Sequence, residues 1–268
     1  MFLSQETEVP ISKVISTQCR VIHALMLREV YTRFGRDNIG FAWIIVEPAL
    51  FALFVVALWS IIGHGNAHKS IPLIPFLFTG YMPLLMYRHM VARLLRCMQA
   101  NSGLLYHRQI TIFSLYASRC LVEFLGTSSA FLFCMTIFWF LGFVDTPDNL
   151  SELLGGWFLY AWYSVATSMS AGALSERSEL VEKLWNPISY IMIPLSGTFF
   201  MVDWIPPAFR EYALLSPPIN GVEMIRAGYF GPSVTTVYNI SYFAAVNATI
   251  TVLGLYLLSD ARRYVEIE

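Results

Sequence analysis

Long apolar runs separated by short charged clusters dominate the chain. A bilayer core about 30 Å thick takes roughly 20 helical residues, so runs of that length predict membrane spans. Gly40 to Gly63 is the first, with Glu47 as its one charge. Ile71 to Tyr87 is the second; it contains Pro72, Pro75 and Pro83 and is short. It is expected to continue through Arg88 toward Arg93, whose long side chains snorkel. Ile112 to Val144 is long enough to project beyond the lipid, and Leu153 to Leu174 and Tyr238 to Ser259 complete five clear runs. Trp185 to Val202, with Pro187 and Pro194, predicts a sixth and bent span. Proline is tolerated there because neighbouring helices satisfy the freed carbonyls.

The connections carry their own patterns. Val21 to Arg36 alternates apolar Val21, Leu25, Leu27, Val30, Tyr31 and Phe34 with Arg20, Arg28, Glu29, Arg33 and Arg36. That spacing predicts an amphipathic helix lying in the membrane interface, which either anchors the chain or docks a cytosolic partner. Between the second and third runs, Asn101-Ser102-Gly103 is expected to break the helix, and Leu104, Leu105 and Tyr106 stand beside His107 and Arg108. Consecutive bulky apolar residues in a loop are expected to dip into headgroups or to meet a partner. Asp203 to Val237 is too polar and proline-rich to cross a membrane. Ala208–Ser216 and Asn220–Tyr229 read as two short amphipathic helices within it, forming a re-entrant or surface hairpin.

Composition strengthens the membrane reading. Of 268 residues, 56% are hydrophobic and 13% charged, against about 45–50% and 25% in soluble domains. The mean hydropathy is +0.57. Net charge is −1, and no basic stripe with interleaved aromatics suggests nucleic acid. Lys and Arg gather in the N-terminal segment, the second–third and fourth–fifth connections and the tail, which predicts an even number of spans with both termini cytoplasmic. Cys19, Cys97, Cys120 and Cys134 have no metal-ligand spacing, and no disulfide is expected. The opening residues lack the apolar stretch of a cleavable signal, so the first span is expected to act as the targeting signal.

Catalytic chemistry is hard to find. The chain contains no G-x-x-x-x-G-K-[ST], G-x-S-x-G, H-E-x-x-H or C-x-x-C. His64 and His68 fall in a Gly-rich loop and read as solvated rather than metal-binding. Glu47, inside the first span, is a functional hypothesis by default. Arg119 and Glu123, four apart on one helix face, are expected to pair with each other. Aromatic residues crowd the first and fifth spans: Phe41, Trp43, Phe51, Phe54 and Trp59, then Trp185, Tyr190, Phe199 and Phe200. Most aromatics in any span pack or face lipid, yet ring faces also stack on the C–H faces of sugars and could line a path for a polymer. No inverted repeat with paired broken helices favours a secondary transporter, and no nucleophile with a neighbouring base favours a membrane enzyme. A membrane scaffold is the remaining rival class.

A family resemblance completes the reading. Leu27-Arg28-Glu29-Val30-Tyr31-Thr32-Arg33-Phe34-Gly35, then Gly40-Phe41-Ala42-Trp43 and Glu47-Pro48, resemble the inner-membrane permease of capsular polysaccharide exporters, type-2 ABC transporters of Gram-negative bacteria. The likeness continues through Asn101-Ser102-Gly103-Leu104-Leu105-Tyr106 and Arg108, and resumes at Trp185-Asn186-Pro187, Ile205-Pro206 and Pro217-Pro218-Ile219. Gln109 departs from the proline of several relatives, and O-antigen and teichoic-acid exporters share much of the pattern. The resemblance implies one all-α membrane domain over residues 1–268. Residues 1–39 form a cytoplasmic and interfacial segment, 40–259 a bundle of six transmembrane helices, and 260–268 a cytoplasmic tail. A periplasmic helical hairpin lies between helices 5 and 6. It implies a multi-pass protein of the bacterial inner membrane with no cofactor or metal of its own, ATP and Mg being held by the partner. The implied partners are a second copy in a homodimer, two cytosolic ATPase subunits, a periplasmic polysaccharide co-polymerase, an outer-membrane exporter and a lipid-linked acidic polysaccharide. Arg28, Tyr31, Arg33, Phe34, Leu104, Leu105, Tyr106 and Arg108 then match the surface that meets the ATPase. Phe41, Trp43, Glu47, Phe51, Phe54, Arg88, Tyr190, Phe199 and Phe200 match the substrate path, and Trp204, Phe209 and Tyr212 a periplasmic gate.

Overall fold

The computed structural model describes residues 11–34, 46, 49–51, 54, 57–58, 61, 71–105 and 110–265, among which every regular element is helical. The helices are α1 (Ile11–Phe34), α2 (Leu73–Leu94), α3 (Ile112–Phe140), α4 (Leu150–Ser175), α5 (Glu179–Leu195), α6 (Pro207–Leu214), α7 (Pro217–Phe230) and α8 (Ile240–Val265). A single helical turn, Ser102–Leu105, lies between α2 and α3. The described residues of the first apolar run, including Phe51 and Phe54, are helical too. Among the described residues, α3 and the stretch Ile240–Ala261 of α8 are long and apolar enough to cross a bilayer.

Side-chain caps set several of the starts. Thr111 accepts from the Ser114 amide at 3.1 Å and Ser114 Oγ from the Thr111 amide at 3.0 Å, a reciprocal box that opens α3. Asn149 accepts from the Glu152 amide to open α4, and Ser178 from the Leu180 amide to open α5. The Ser178 cap begins α5 at Glu179, six residues before the apolar run suggests, and the helix ends at Leu195 rather than Val202. Phe199 and Phe200 therefore lie in a turn beyond the helix, not within it.

The bundle is organised around α4, which packs against α2, α7 and α8. Many of its inward positions are small, with Gly156, Ala161, Ser164, Ala166, Ser168, Ala171, Gly172 and Ala173 buried beside the bulkier Leu153, Trp157, Tyr160, Tyr163 and Met169. Small residues let helix backbones approach closely where no hydrophobic effect drives helices together. The serines cost little, because Ser164 donates to the Tyr160 carbonyl at 2.9 Å and Ser170 to the Ala166 carbonyl at 3.0 Å. Polar bonds also cross between helices, from Asn247 Nδ2 of α8 to the Leu159 carbonyl and from Trp157 Nε1 to Ser128 Oγ of α3. The α2 helix is apolar from Leu73 to Tyr87 apart from Thr79 and is buried over most of that length, with Arg88, His89 and Arg93 following toward its end.

One of the two hairpin helices follows its pattern and the other does not. α6 is amphipathic and at the surface, as its pattern predicts. α7 is instead buried at every position from Pro218 to Phe230 and plugs one end of the bundle against α4, α2 and α8. Its sequence reads as amphipathic because it carries Asn220, Glu223 and Arg226, but those side chains point into the protein, where their polar atoms find partners except the Arg226 Nε. Asn220 donates to the Leu214 and Ser216 carbonyls and accepts from the Asn239 amide.

Contact between α7 and α4 is tight at Gly228, where a Cβ would lie 2.2 Å from the Leu153 nitrogen and 2.6 Å from its Cα. Backbone cannot give way as a side-chain tip can. We expect Gly228→Ala to destabilise the fold by about 1–3 kcal/mol, the usual cost of overpacking a dense core. Gly103, where an added Cβ would meet nothing within 4 Å, should tolerate alanine without loss. Thermal unfolding of the two purified variants in detergent checks the contrast.

Candidate functional site

Three polar or aromatic constellations stand out against the apolar bundle. The first lies at the end where α2 and α4 finish. Here the helix breaks at Leu95–Arg96, not at Asn101–Gly103, which is helical. Arg96 adopts φ 50°, a left-handed conformation that strains a residue with a Cβ. Its amide donates to Ser175 Oγ at 2.9 Å, and the next turn is held by Glu176, whose carboxylate accepts the Met98 amide at 2.7 Å. Burial pushes the Glu176 carboxyl above its ordinary range, while the Met98 and Gln99 amides pull it down. The Arg96 guanidinium reaches Gln99 Oε1 at 2.8 Å, Glu182 at 3.2 Å and Glu179 at 3.7 Å, the last two on the first turn of α5. Arg28 of α1 donates to Asn101 Oδ1 at 3.3 Å, and Arg177 pairs with Asp260 of α8.

Arg119 and Glu123 do not pair with each other. Arg119 reaches Glu29 of α1 at 3.7 Å and donates to the Arg93 carbonyl at 2.6 Å. Glu123 faces Arg93 at 3.5 Å and His89 at 3.6 Å. Helix packing brings α1 and α2 against α3, and those closer partners win over the neighbour one turn away. α1 is helical from Ile11, the first described residue, ten residues before its alternating pattern is evident, and presents Tyr31 outward while Leu25 is buried. Leu104 and Leu105 are half-buried, Leu105 against a core cluster that includes Leu94, Met98 and Tyr116.

The second constellation is a ladder of rings along one face of α2. Phe51 of the first apolar run stacks on Tyr81 with centroids 4.0 Å apart and tilts toward Phe199 at 6.5 Å. Two turns further along α2, Arg88 lies over the Tyr190 ring of α5 at 5.5 Å. Four of the residues singled out for a path, Phe51, Arg88, Tyr190 and Phe199, thus meet on neighbouring surfaces. Tyr81 is the member that sequence reasoning missed, since one tyrosine in an apolar run carries no signal. Phe54 is exposed and Phe200 is half-buried.

The third is a buried clamp formed by α7. Arg226 is fully buried and donates to the Gly197 carbonyl at 2.8 Å, Phe200 at 2.6 Å and Thr198 at 2.7 Å. It also lies over the Phe76 ring at 4.1 Å, and Trp204 stacks on that same ring at 5.2 Å. Glu223, equally buried, accepts the Val202 amide at 3.2 Å and the Val237 amide at 3.1 Å. The two charges are 3.9 Å apart. Burial lowers Arg226 to about 10, which leaves it charged at neutral pH, and raises Glu223 against the opposing pull of Arg226 and the two amides. α2 approaches this clamp closely, because a Cβ on Gly80 would sit 2.6 Å from the Thr198 oxygen. Of the gate residues, Trp204 packs inward on Phe76, whereas Phe209 and Tyr212 are 62% and 71% exposed.

Phe41, Trp43, Glu47, Tyr106 and Arg108 lie outside the described residues, as do His64, His68 and the side chains of Arg33 and Phe34. Glu223 and Arg226 had a faint signal, two opposite charges three apart within an otherwise apolar helix. The carbonyls they serve could not be foreseen.

Comparison with known proteins adds the family. Residues 20–230 match the ABC-2 type transporter family. The chain is 34% identical over 252 residues to the capsule polysaccharide export inner-membrane protein CtrC of Neisseria meningitidis, covering 94% of this chain and 95% of that one. The capsule polysaccharide export inner-membrane protein BexB of Haemophilus influenzae gives the same identity and coverage. The polysialic acid transport protein KpsM of Escherichia coli is 27% identical over 241 residues, covering 88% of this chain and 91% of that one.

Arg226→Met should cost about 3–5 kcal/mol, since it strands a buried carboxylate and three carbonyls. Glu223→Gln keeps one acceptor oxygen, so one of the Val202 and Val237 amides stays bonded while the other meets an NH2 donor; with fewer groups stranded than in Arg226→Met, its loss should be smaller. Unfolding midpoints of the two variants in detergent measure the order.

Proposed function

The chain belongs to the ABC-2 type transporter family, and from that membership we propose that it is the permease subunit of an exporter of lipid-linked acidic polysaccharide. Relatives over nearly the whole chain are named for capsule polysaccharide export at the inner membrane, which supports the substrate class and the location. The observation that carries the reading is the ladder of Phe51, Tyr81, Phe199, Arg88 and Tyr190. Rings offer flat faces for sugar stacking, and a guanidinium attracts the carboxylates or phosphates of an acidic glycan. O-antigen and teichoic-acid exporters would present the same design.

The wall is open on its far side. Leu180, Leu184, Ile188, Ile191 and Leu195 form one stripe at helical spacing on α5, and all are exposed in the single chain. A second copy facing this stripe and the first span would enclose a channel, so the working unit is a homodimer. The Arg96 end, with its cluster of basic residues, lies in the cytoplasm by the positive-inside rule, which puts both termini there and the α6–α7 hairpin in the periplasm. Phe209 and Tyr212 flank the exit from that side, where a periplasmic co-polymerase and an outer-membrane exporter would receive the polymer.

Export against a gradient needs a motor, and the chain has no Walker motif. Two separate ATPase subunits, holding ATP and Mg, supply the work. They dock on α1 around Arg28, Tyr31, Arg33 and Phe34 and on the Leu104–Arg108 segment. ATP binding draws the two ATPases together, and that closure favours one arrangement of the spans over another. Coupling needs this difference in contact between the two states, whatever the affinity. The helices then shift as rigid bodies and pass the glycan outward.

Two outcomes test the reading. Leu104→Asp should reduce co-purification of the ATPase by about tenfold or more, as charge insertion at an apolar contact does, while the permease itself still folds; undiminished binding and export would remove this surface from the docking proposal. Arg88→Glu should lower transport of an acidic glycan in reconstituted vesicles yet spare ATPase assembly. Equal transport by wild type and variant would exclude Arg88 from the path.

A further inference from the structure

Among the described residues, α5 is lightly packed along its length and has charged or polar contacts at both ends. Ser189 is its one buried residue, and its packing on α4 is slight compared with that of α7 or α8. At the far end, Arg226 grips the turn that follows Leu195 through three carbonyls. At the near end, the Arg96 guanidinium spans from the turn after α2 to Glu179 and Glu182 on the first turn of α5. Between these ends, Trp185, Met192 and Ile193 rest half-buried on the core and Arg88 lies over Tyr190, so a shift at one end of α5 is passed along a lightly packed helix.

We propose that Arg96 is a positioning residue for transport, which delivers movement of the turn after α2 to the start of α5 through Glu179 and Glu182. This rests on the reading of the chain as a permease driven by a separate ATPase, and names the route by which that drive reaches the path-lining helix. The backbone of Arg96 is anchored to α4 through Ser175, so the guanidinium is a short arm on a fixed pivot. Glycine would take the φ of 50° without strain, whereas arginine accepts the strain and gains the reach to α5. The turn carries on into Asn101, to which Arg28 of α1 donates, so movement of α1 and of this turn enters the same arm. Both carboxylates are substantially solvent-exposed, so the pairs add little static stability. Breaking them should leave the fold intact and alter only what α5 does.

The test uses the whole permease–ATPase complex in proteoliposomes with a lipid-linked acidic glycan, reading ATP hydrolysis and glycan export separately. Arg96→Glu is expected to keep complex assembly, unfolding midpoint and basal hydrolysis, and to lower export about tenfold. Glu179→Arg with Glu182→Arg, on exposed surface, should give the same split. Combining all three reverses the polarity of the arm and should restore export to within about threefold of wild type, the signature of a direct pair in a mutant cycle. A purely structural role would lower hydrolysis, stability and export together and would not be rescued by reversal. Normal export by either single-side variant, loss of stability in step with export, or failure of the reversed arm to restore export would overturn the assignment. Absence of ATP-driven glycan export by the wild-type complex would instead overturn the permease reading itself.

Discussion

Arg226 lies where the structure concentrates its polar demands. The turn after α5 leaves the carbonyls of Gly197, Thr198 and Phe200 without helical partners inside a protein end that excludes water. Such groups must be satisfied internally, because an unmade backbone hydrogen bond in an apolar setting costs several kcal/mol. One guanidinium, with several donors in a planar fork, serves all three. The remaining consequences follow in order. The turn can be irregular, so α5 can stop at Leu195. Phe199 can swing toward Phe51, and Trp204 can stack on Phe76 beside the same cation. Glu223 supports the arrangement from one turn away and ties in both the following loop and the approach to α8.

The same demand explains why α7 is buried although it is polar by composition. A helix with an arginine, a glutamate and an asparagine would be expected at a surface. Each of these side chains instead satisfies backbone groups of a neighbouring segment, and the glycines at 221 and 228 let the helix sit against α4 and α8. A buried ion pair is weak support for stability by itself. Here its worth lies in fixing the geometry of a turn that borders the proposed path.

At the opposite end the fastening is of another kind. Arg96, Ser175 and Glu176 bind two turns to each other through backbone amides, and the outward reach to α5 is made by solvent-exposed charges. Tight backbone contacts hold shape, while exposed ion pairs exchange readily. α5 is thus clamped by buried carbonyl bonds at one end and by exchangeable charges at the other. The exposed apolar stripe of α5 between them is the face left for a second copy, for lipid or for the polymer.

Sequence alone determined the helical class, the approximate limits of α2, α3, α4 and α8 and the family, because apolar run length and family motifs are local properties of the chain. The start of α3 near Ile112 and the extension of α2 toward Arg93 follow from the apolar run and the flanking arginines, whereas the reciprocal Thr111–Ser114 cap appears only in the structure. Tertiary structure decided which charges pair and where the polar helix goes. Arg119 and Glu123 are ideally spaced for each other, yet packing of α1 and α2 against α3 supplies Glu29, Arg93 and His89 instead. Tyr81, Arg96 and Arg226 gained their roles only through neighbours distant in the chain. Helical periodicity specifies which side of a helix a residue occupies, whereas the partner that meets it depends on interhelical contacts that no local pattern encodes.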